Sequence, residues 1–86
     1  MSDIRKQQCQ TAQEAFATVY DKSLGEQYHV ISLQEINVAL AKKGLPSFKD
    51  KHELEEAMVS EFVAEAKDPE AAEEVVRYWI QNAVLD

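Results

Sequence analysis

Ala72, Val75, Val76, Trp79, Ile80, Ala83 and Val84 recur at 3-4-3-4 spacing without a break. Only an α-helix gathers such positions onto one face. The start is also written in: Asp68 can accept from the backbone N–H groups of the first turn, and Pro69 follows where its missing N–H costs nothing. Glu70, Glu73 and Glu74 put negative charge at the positive end of the helix dipole. A helix over 69–85 is therefore the strongest expectation, and its apolar face must be buried against the rest of a short chain.

Three more helices follow from similar signals. Ser32 and Glu35 form an S-x-x-E capping box, with Ile31 before the cap and Ile36 inside making the matching hydrophobic staple. This helix carries Leu33, Ile36 and Leu40 inward and stops at Gly44, where Leu45 can fold back on Leu40 in a Schellman ending before Pro46. The next helix opens after Ser47 or, by the stronger D-x-x-E signal of Asp50 and Glu53, after Asp50. Leu54, Met58 and Phe62 form its ridge, Val59, Val63 and Ala66 widen it, and Asp68-Pro69 ends it. Towards the N-terminus, Ala12, Ala15, Phe16, Val19 and Tyr20 mark a helix that Gly25 stops. Between Gly25 and Ser32 the stretch EQYHVI is too aromatic and β-branched for a solvent loop; an extended crossing would set Tyr28, Val30 or Ile31 against the core.

The expected fold is all-α, a small four-helix bundle-like single domain over residues 1–86, with helices near 3–24, 33–43, 51–66 and 69–85. The expected core is Phe16, Val19, Ile36, Leu40, Leu54, Met58, Phe62, Val76, Trp79 and Ile80. A core of this size leaves only marginal stability, so burial against a partner would help appreciably. Cys9 is the single cysteine, which rules out an intramolecular disulfide and suits a reducing compartment or simple indifference to redox. The opening MSDIRKQQCQ has no apolar h-region and no stretch approaches membrane-spanning length, so a cytoplasmic, membrane-free protein is expected.

Charge is unevenly placed. Residues 1–52 hold seven basic against six acidic side chains, a net of +1, while residues 53–86 hold two against ten, a net of -8. The carboxylates Glu53, Glu56, Glu61, Glu65, Glu70, Glu73 and Glu74 are the candidate partner-binding residues, with Glu56, Glu73 and Glu74 placed away from the apolar stripes. Lys42, Lys43, Lys49 and Lys51 make a local basic patch that can pair with the acidic third and fourth helices. A net charge of -7 disfavours direct binding to nucleic acid.

No catalytic residues, cofactor or metal site are expected. His29 and His52 lack a second ligand at i+3 or i+4, and Cys9 has no C-x-x-C partner. Ser23, Ser32, Ser47 and Ser60 have no glycine elbow, and Gly25 and Gly44 alone cannot build a phosphate loop. The many carboxylates fall on solvated faces, away from the kind of pocket that acid–base chemistry needs.

Three segments resemble known motifs. QEAFATVYDKSLGEQYHVISLQEINVALAKKGL resembles an EF-hand in outline, which would make Asp21, Ser23 and Glu35 the ligands. Asp21 to Glu35 spans fifteen positions and Gly25 is fifth, where a calcium loop of about twelve residues needs glycine at about the sixth. SLQEINVALAKKGLPSFKDKHELEEAM scans as helix-turn-helix, but its second helix is acidic where a recognition helix is basic. INVALAKKGLPSFKD, MVSEFV, DP and RYWI resemble, in that order, the theta accessory subunit of bacterial DNA polymerase III. That resemblance covers roughly residues 32–84, needs insertions near Glu55 and Glu73 and leaves the first helix unmatched; it implies binding to a proofreading exonuclease subunit.

Three functions remain. The first is a non-enzymatic inhibitor or immunity-type module, phage or bacterial, whose carboxylates occupy the basic surface of a nucleic-acid-handling protein. The second is an accessory subunit that stabilises an enzyme partner through apolar contact, and the third a degenerate EF-hand-like module.

Overall fold

The computed structural model describes residues 3–22 and 30–85. Among them are four helices, α1 (Asp3–Lys22), α2 (Leu33–Lys42), α3 (Lys51–Val63) and α4 (Pro69–Ala83). Two two-residue strands, β1 (Ile31–Ser32) and β2 (Val84–Leu85), complete the architecture. The all-α bundle-like fold expected from the apolar spacing is the fold the chain adopts. α3 and α4 make the broadest pairing, and α1 lies against both α2 and α3.

The caps act as their residue types dictate. Ser32 Oγ accepts from the Glu35 N–H at 3.1 Å, and Asp50 Oδ1 from the Glu53 N–H at 2.8 Å. Glu53 reaches back beyond the cap itself, its carboxylate accepting from the N–H of Lys49, one residue ahead of Asp50. Asp68 Oδ1 accepts from the Ala71 N–H at 3.2 Å, with Pro69 opening α4. At the end of α2, Leu45 N–H donates to Leu40 O at 2.9 Å and Gly44 N–H to Ala41 O at 3.0 Å. These two bonds are the Schellman pair, and they require the left-handed φ of +71° that Gly44 supplies.

The sequence reading needs correcting in several places. α2 ends at Lys42, one residue short of the expected 43, and α3 at Val63 rather than 66. Residues 64–68 form the turn that reverses the chain. α4 stops at Ala83 because Val84 and Leu85 leave helical geometry to pair in parallel with Ile31 and Ser32. Strand pairing was not expected at all. It arises because the approach to α2 and the exit from α4 lie side by side, each offering a β-branched residue that is almost wholly buried, Ile31 and Val84. Of the extended-crossing candidates, Ile31 is in the core, Val30 is exposed, and Tyr28 lies outside the described residues together with Ser23, Gly25 and His29.

The core is also displaced from expectation. Ile36, Leu40, Leu54, Met58 and Ile80 are fully buried, but Phe16, Val19, Phe62, Val76 and Trp79 are only partly so. Their place at the centre is taken by Phe48, Ile31, Val84, Cys9 and Ala12. Phe48 enters from the α2–α3 connection. Asn37 Nδ2 donates to Phe48 O at 3.0 Å and Phe48 N–H donates to Asn37 Oδ1 at 2.9 Å. Gln8 Nε2 donates to Pro46 O at 2.7 Å, and the Arg5 guanidinium lies 5.8 Å from the Phe48 ring centroid. The molecule measures 33 × 30 × 19 Å. With helix axes about 8–10 Å apart, the short dimension holds two layers of helices, and among the described residues one apolar face between α1, α3 and α4 has no further element over it.

Candidate protein-docking site

The uncovered face is a groove of about 640 Å³ between α1, α3 and α4. Phe16 and Gln13 of α1 form one side, Met58 and Phe62 of α3 the floor, and Ala71, Ala72, Val75, Val76 and Trp79 of α4 the other side. Phe16 and Trp79 meet edge to face, ring centroids 5.2 Å apart and planes at 82°, an arrangement that rigid aromatic pairs favour. Nothing among the described residues accepts from the buried Trp79 indole N–H. The outer lip of α4 is apolar as well: Val75 is 68% exposed and Tyr78 71%. Val75 belonged to the inward stripe by spacing alone, but α4 turns that part of its stripe into the groove mouth.

The seven nominated glutamates do not form one row. Glu56 and Glu73 are engaged inside the molecule, since Arg77 Nη1 donates to Glu56 at 3.3 Å and Arg77 Nε to Glu73 at 2.8 Å. Arg77 Nη1 also donates to Glu55, which was not nominated and whose side chain is only 13% exposed. The three carboxylates raise the Arg77 pKa above its ordinary value, Glu73 most, then Glu55 and Glu56. Glu53 is spent on the α3 cap. That leaves Glu61, Glu65, Glu70 and Glu74, for which no ion pair exists among the described residues. Glu65, Glu70 and Glu74 are exposed; Glu61 is half-buried. In sequence these four bracket the groove: Glu61 adjoins Phe62, Glu70 adjoins Ala71, Glu74 adjoins Val75, and Glu65 lies in the turn that joins the two helices.

The basic patch does not neutralise them. Lys43 Nζ pairs with Glu14 of α1 at 2.7 Å, and Lys51 Nζ donates to Gln81 O at the end of α4 at 3.2 Å. Neither reaches a carboxylate of α3 or α4, so the pairing expected for these lysines is replaced by contacts with α1 and with a helix C-terminal carbonyl, where a cation is favoured.

Cys9 is buried against α3. Burial pushes its thiol from an ordinary 9.0 up to about 11, with Glu61 adding to the rise and Arg5 opposing it, so it stays a neutral thiol rather than a nucleophile. No three His, Cys, Asp or Glu side chains among the described residues gather into a metal-holding group. In the EF-hand outline, Asp21 is exposed on the last turn of α1, the Glu35 N–H is held by Ser32, and Ser23 lies outside the described residues. No helix among the described residues is long and apolar enough to cross a membrane.

Fold and groove together define a small helical domain whose apolar core, among the described residues, is open along one face. Comparison with known proteins finds no matching family model, no matching curated protein and no matching solved structure.

Proposed function

We propose that this chain is a non-enzymatic, acidic protein-binding module of the cytoplasm, of inhibitor or immunity type. Its partner carries a basic surface of the kind that nucleic-acid-handling proteins present to phosphates. The observation that carries the proposal is the set of four carboxylates without a counter-ion, Glu61, Glu65, Glu70 and Glu74, gathered about the α3–α4 turn. Glu70 complements the positive end of the α4 dipole, but two features of the set are not favoured by folding. Glu61 is in the last turn of α3, which holds no basic residue, and negative charge there opposes the helix dipole. Glu70 and Glu74 are like charges at i,i+4, which costs about 0.2–0.5 kcal/mol. A cationic partner removes both penalties and is steered in by the net -8 of residues 53–86.

The test is Glu65→Lys, Glu70→Lys and Glu74→Lys together. All three side chains are exposed and outside the Arg77 cluster, so the fold should survive, whereas reversal at Glu56 or Glu73 would break that cluster. Tagged native protein should retain a partner from a lysate of its source at low salt and release it at about 0.5 M salt, and the triple variant should retain none. Equal retention by the folded triple variant overturns the proposal. A second reading, an accessory subunit held to its enzyme by apolar contact, has the groove in its favour, and retention that survives high salt would select it.

A further inference from the structure

We infer that the groove between α1, α3 and α4 seats one basic amphipathic helix of the partner, apolar face down and lysines or arginines along its flank. This rests on the reading of the acidic half as a recognition surface and gives it a site. The groove sets the apolar requirement: Phe16, Phe62, Val75 and Trp79 line it, with Gln13 the one polar side chain on its walls. Helix faces build all of its walls, so no free strand edge is offered to an extended peptide. An extended segment would bury backbone N–H and C=O groups without partners, whereas a helix brings its own hydrogen bonds. Length agrees too. The groove lining on α4 runs from Ala71 to Trp79, about 12 Å at 1.5 Å per residue, which would seat about two central turns of an occupant helix.

Charge complementarity decides the sign of the flank. Glu61, Glu70 and Glu74 stand next in sequence to groove residues on the two helices α3 and α4, and Glu65 lies in the turn that joins those helices; none of the four has an ion-pair partner among the described residues. A second copy of this chain would bring the same acidic helices, net -8 over residues 53–86, onto themselves, an arrangement that like charges oppose. A helix that meets Val75 and Tyr78 with leucine or phenylalanine and the four glutamates with lysine or arginine satisfies both features at once.

The probe is a synthetic, end-blocked helical peptide of about 15 residues with leucine and phenylalanine on one face and lysine on its flanks. Binding to the whole chain is followed by peptide anisotropy and by the fluorescence of Trp79, the single tryptophan. We expect saturable binding with a change in Trp79 emission, and a loss of at least about tenfold in affinity with Val75→Asp. Val75 is exposed, so this variant should keep its helical circular dichroism and melting temperature, and because it adds negative charge a loss cannot come from weakened attraction. A peptide with glutamate on its flanks should bind at least about tenfold more weakly. The inference falls if a scrambled peptide of the same composition binds as well, if Val75→Asp binds unchanged, or if sedimentation shows a dimer that Val75→Asp dissolves. Should Val75→Asp still retain the lysate partner while Glu65→Lys, Glu70→Lys and Glu74→Lys lose it, the groove is excluded and the acidic surface stands.

Discussion

At the scale of single residues, burial and hydrogen bonding overrule hydrophobic labels. Phe48 sits in a run of loop residues, SFKD, with no periodicity to mark it, yet it is almost wholly buried because Asn37 binds both its N–H and its C=O. Trp79, the largest residue of the helical stripe, is only partly buried and forms a groove wall. The expectation that Trp79 fills the core failed because spacing reports which side of a helix is apolar and not whether another element covers it. Cys9 shows the electrical side of burial. Its thiol keeps its proton to about pH 11 in the fold, above an ordinary 9.0 in an unfolded chain. A raised folded-state pKa means that the contribution to stability is complete below about pH 9 and is lost as pH climbs towards about 11. Denaturant titrations across that window should show the native protein losing stability more steeply than Cys9→Ala. Identical slopes would show that the thiol is not desolvated.

At the scale of elements, caps and stops were the most legible features of the chain. S-x-x-E, D-x-x-E, D-P and G-L-P each name a local arrangement of orphan backbone groups, and local arrangements need no knowledge of the rest of the fold. Helix ends without such a signal were less legible, and α3 stops at Val63 where the apolar pattern runs on to Ala66. The α2–α3 connection behaves as an element of its own, pinned by Gln8 to Pro46, by Arg5 over Phe48 and by Asn37 on the Phe48 backbone. Asn37→Ala strips the last of these and leaves a part-buried donor and acceptor without partners. A loss of about 1–3 kcal/mol is expected in urea unfolding, and a loss under about 0.5 kcal/mol would mean that the connection holds itself in place.

At the scale of the whole molecule, α1, α3 and α4 are laid together so that an apolar groove stays open between them among the described residues. The closed side is held by the parallel pairing of Ile31 and Ser32 with Val84 and Leu85, which ties the exit of α4 to the entry of α2. Val84→Ala removes two buried methyl groups from that join. It should cost about 2 kcal/mol and lower the thermal midpoint, while binding at the groove, whose lining does not include Val84, stays unchanged in the folded protein. A change in groove affinity without a change in stability would contradict this separation of closed and open sides. Charge is divided as well: Arg77 gathers Glu55, Glu56 and Glu73 between α3 and α4, and Glu61, Glu65, Glu70 and Glu74 are left without an ion-pair partner among the described residues.

By itself the sequence determined the helical class, the starts of α2, α3 and α4, one Schellman stop and the -8 imbalance of residues 53–86, because each depends on spacing, local hydrogen bonding or counting. Only the tertiary structure decided which apolar residues face the groove, since that depends on how α1, α3 and α4 are laid together. It also decided which carboxylates remain without a cation. Glu73 and Glu74 are neighbours in the chain, but a helix turns about 100° between them, and Arg77 meets one and not the other. The pairing of Ile31 with Val84 lay beyond the sequence for the same reason: fifty-three positions separate them, and neither two-residue strand carries a pattern until the other is beside it.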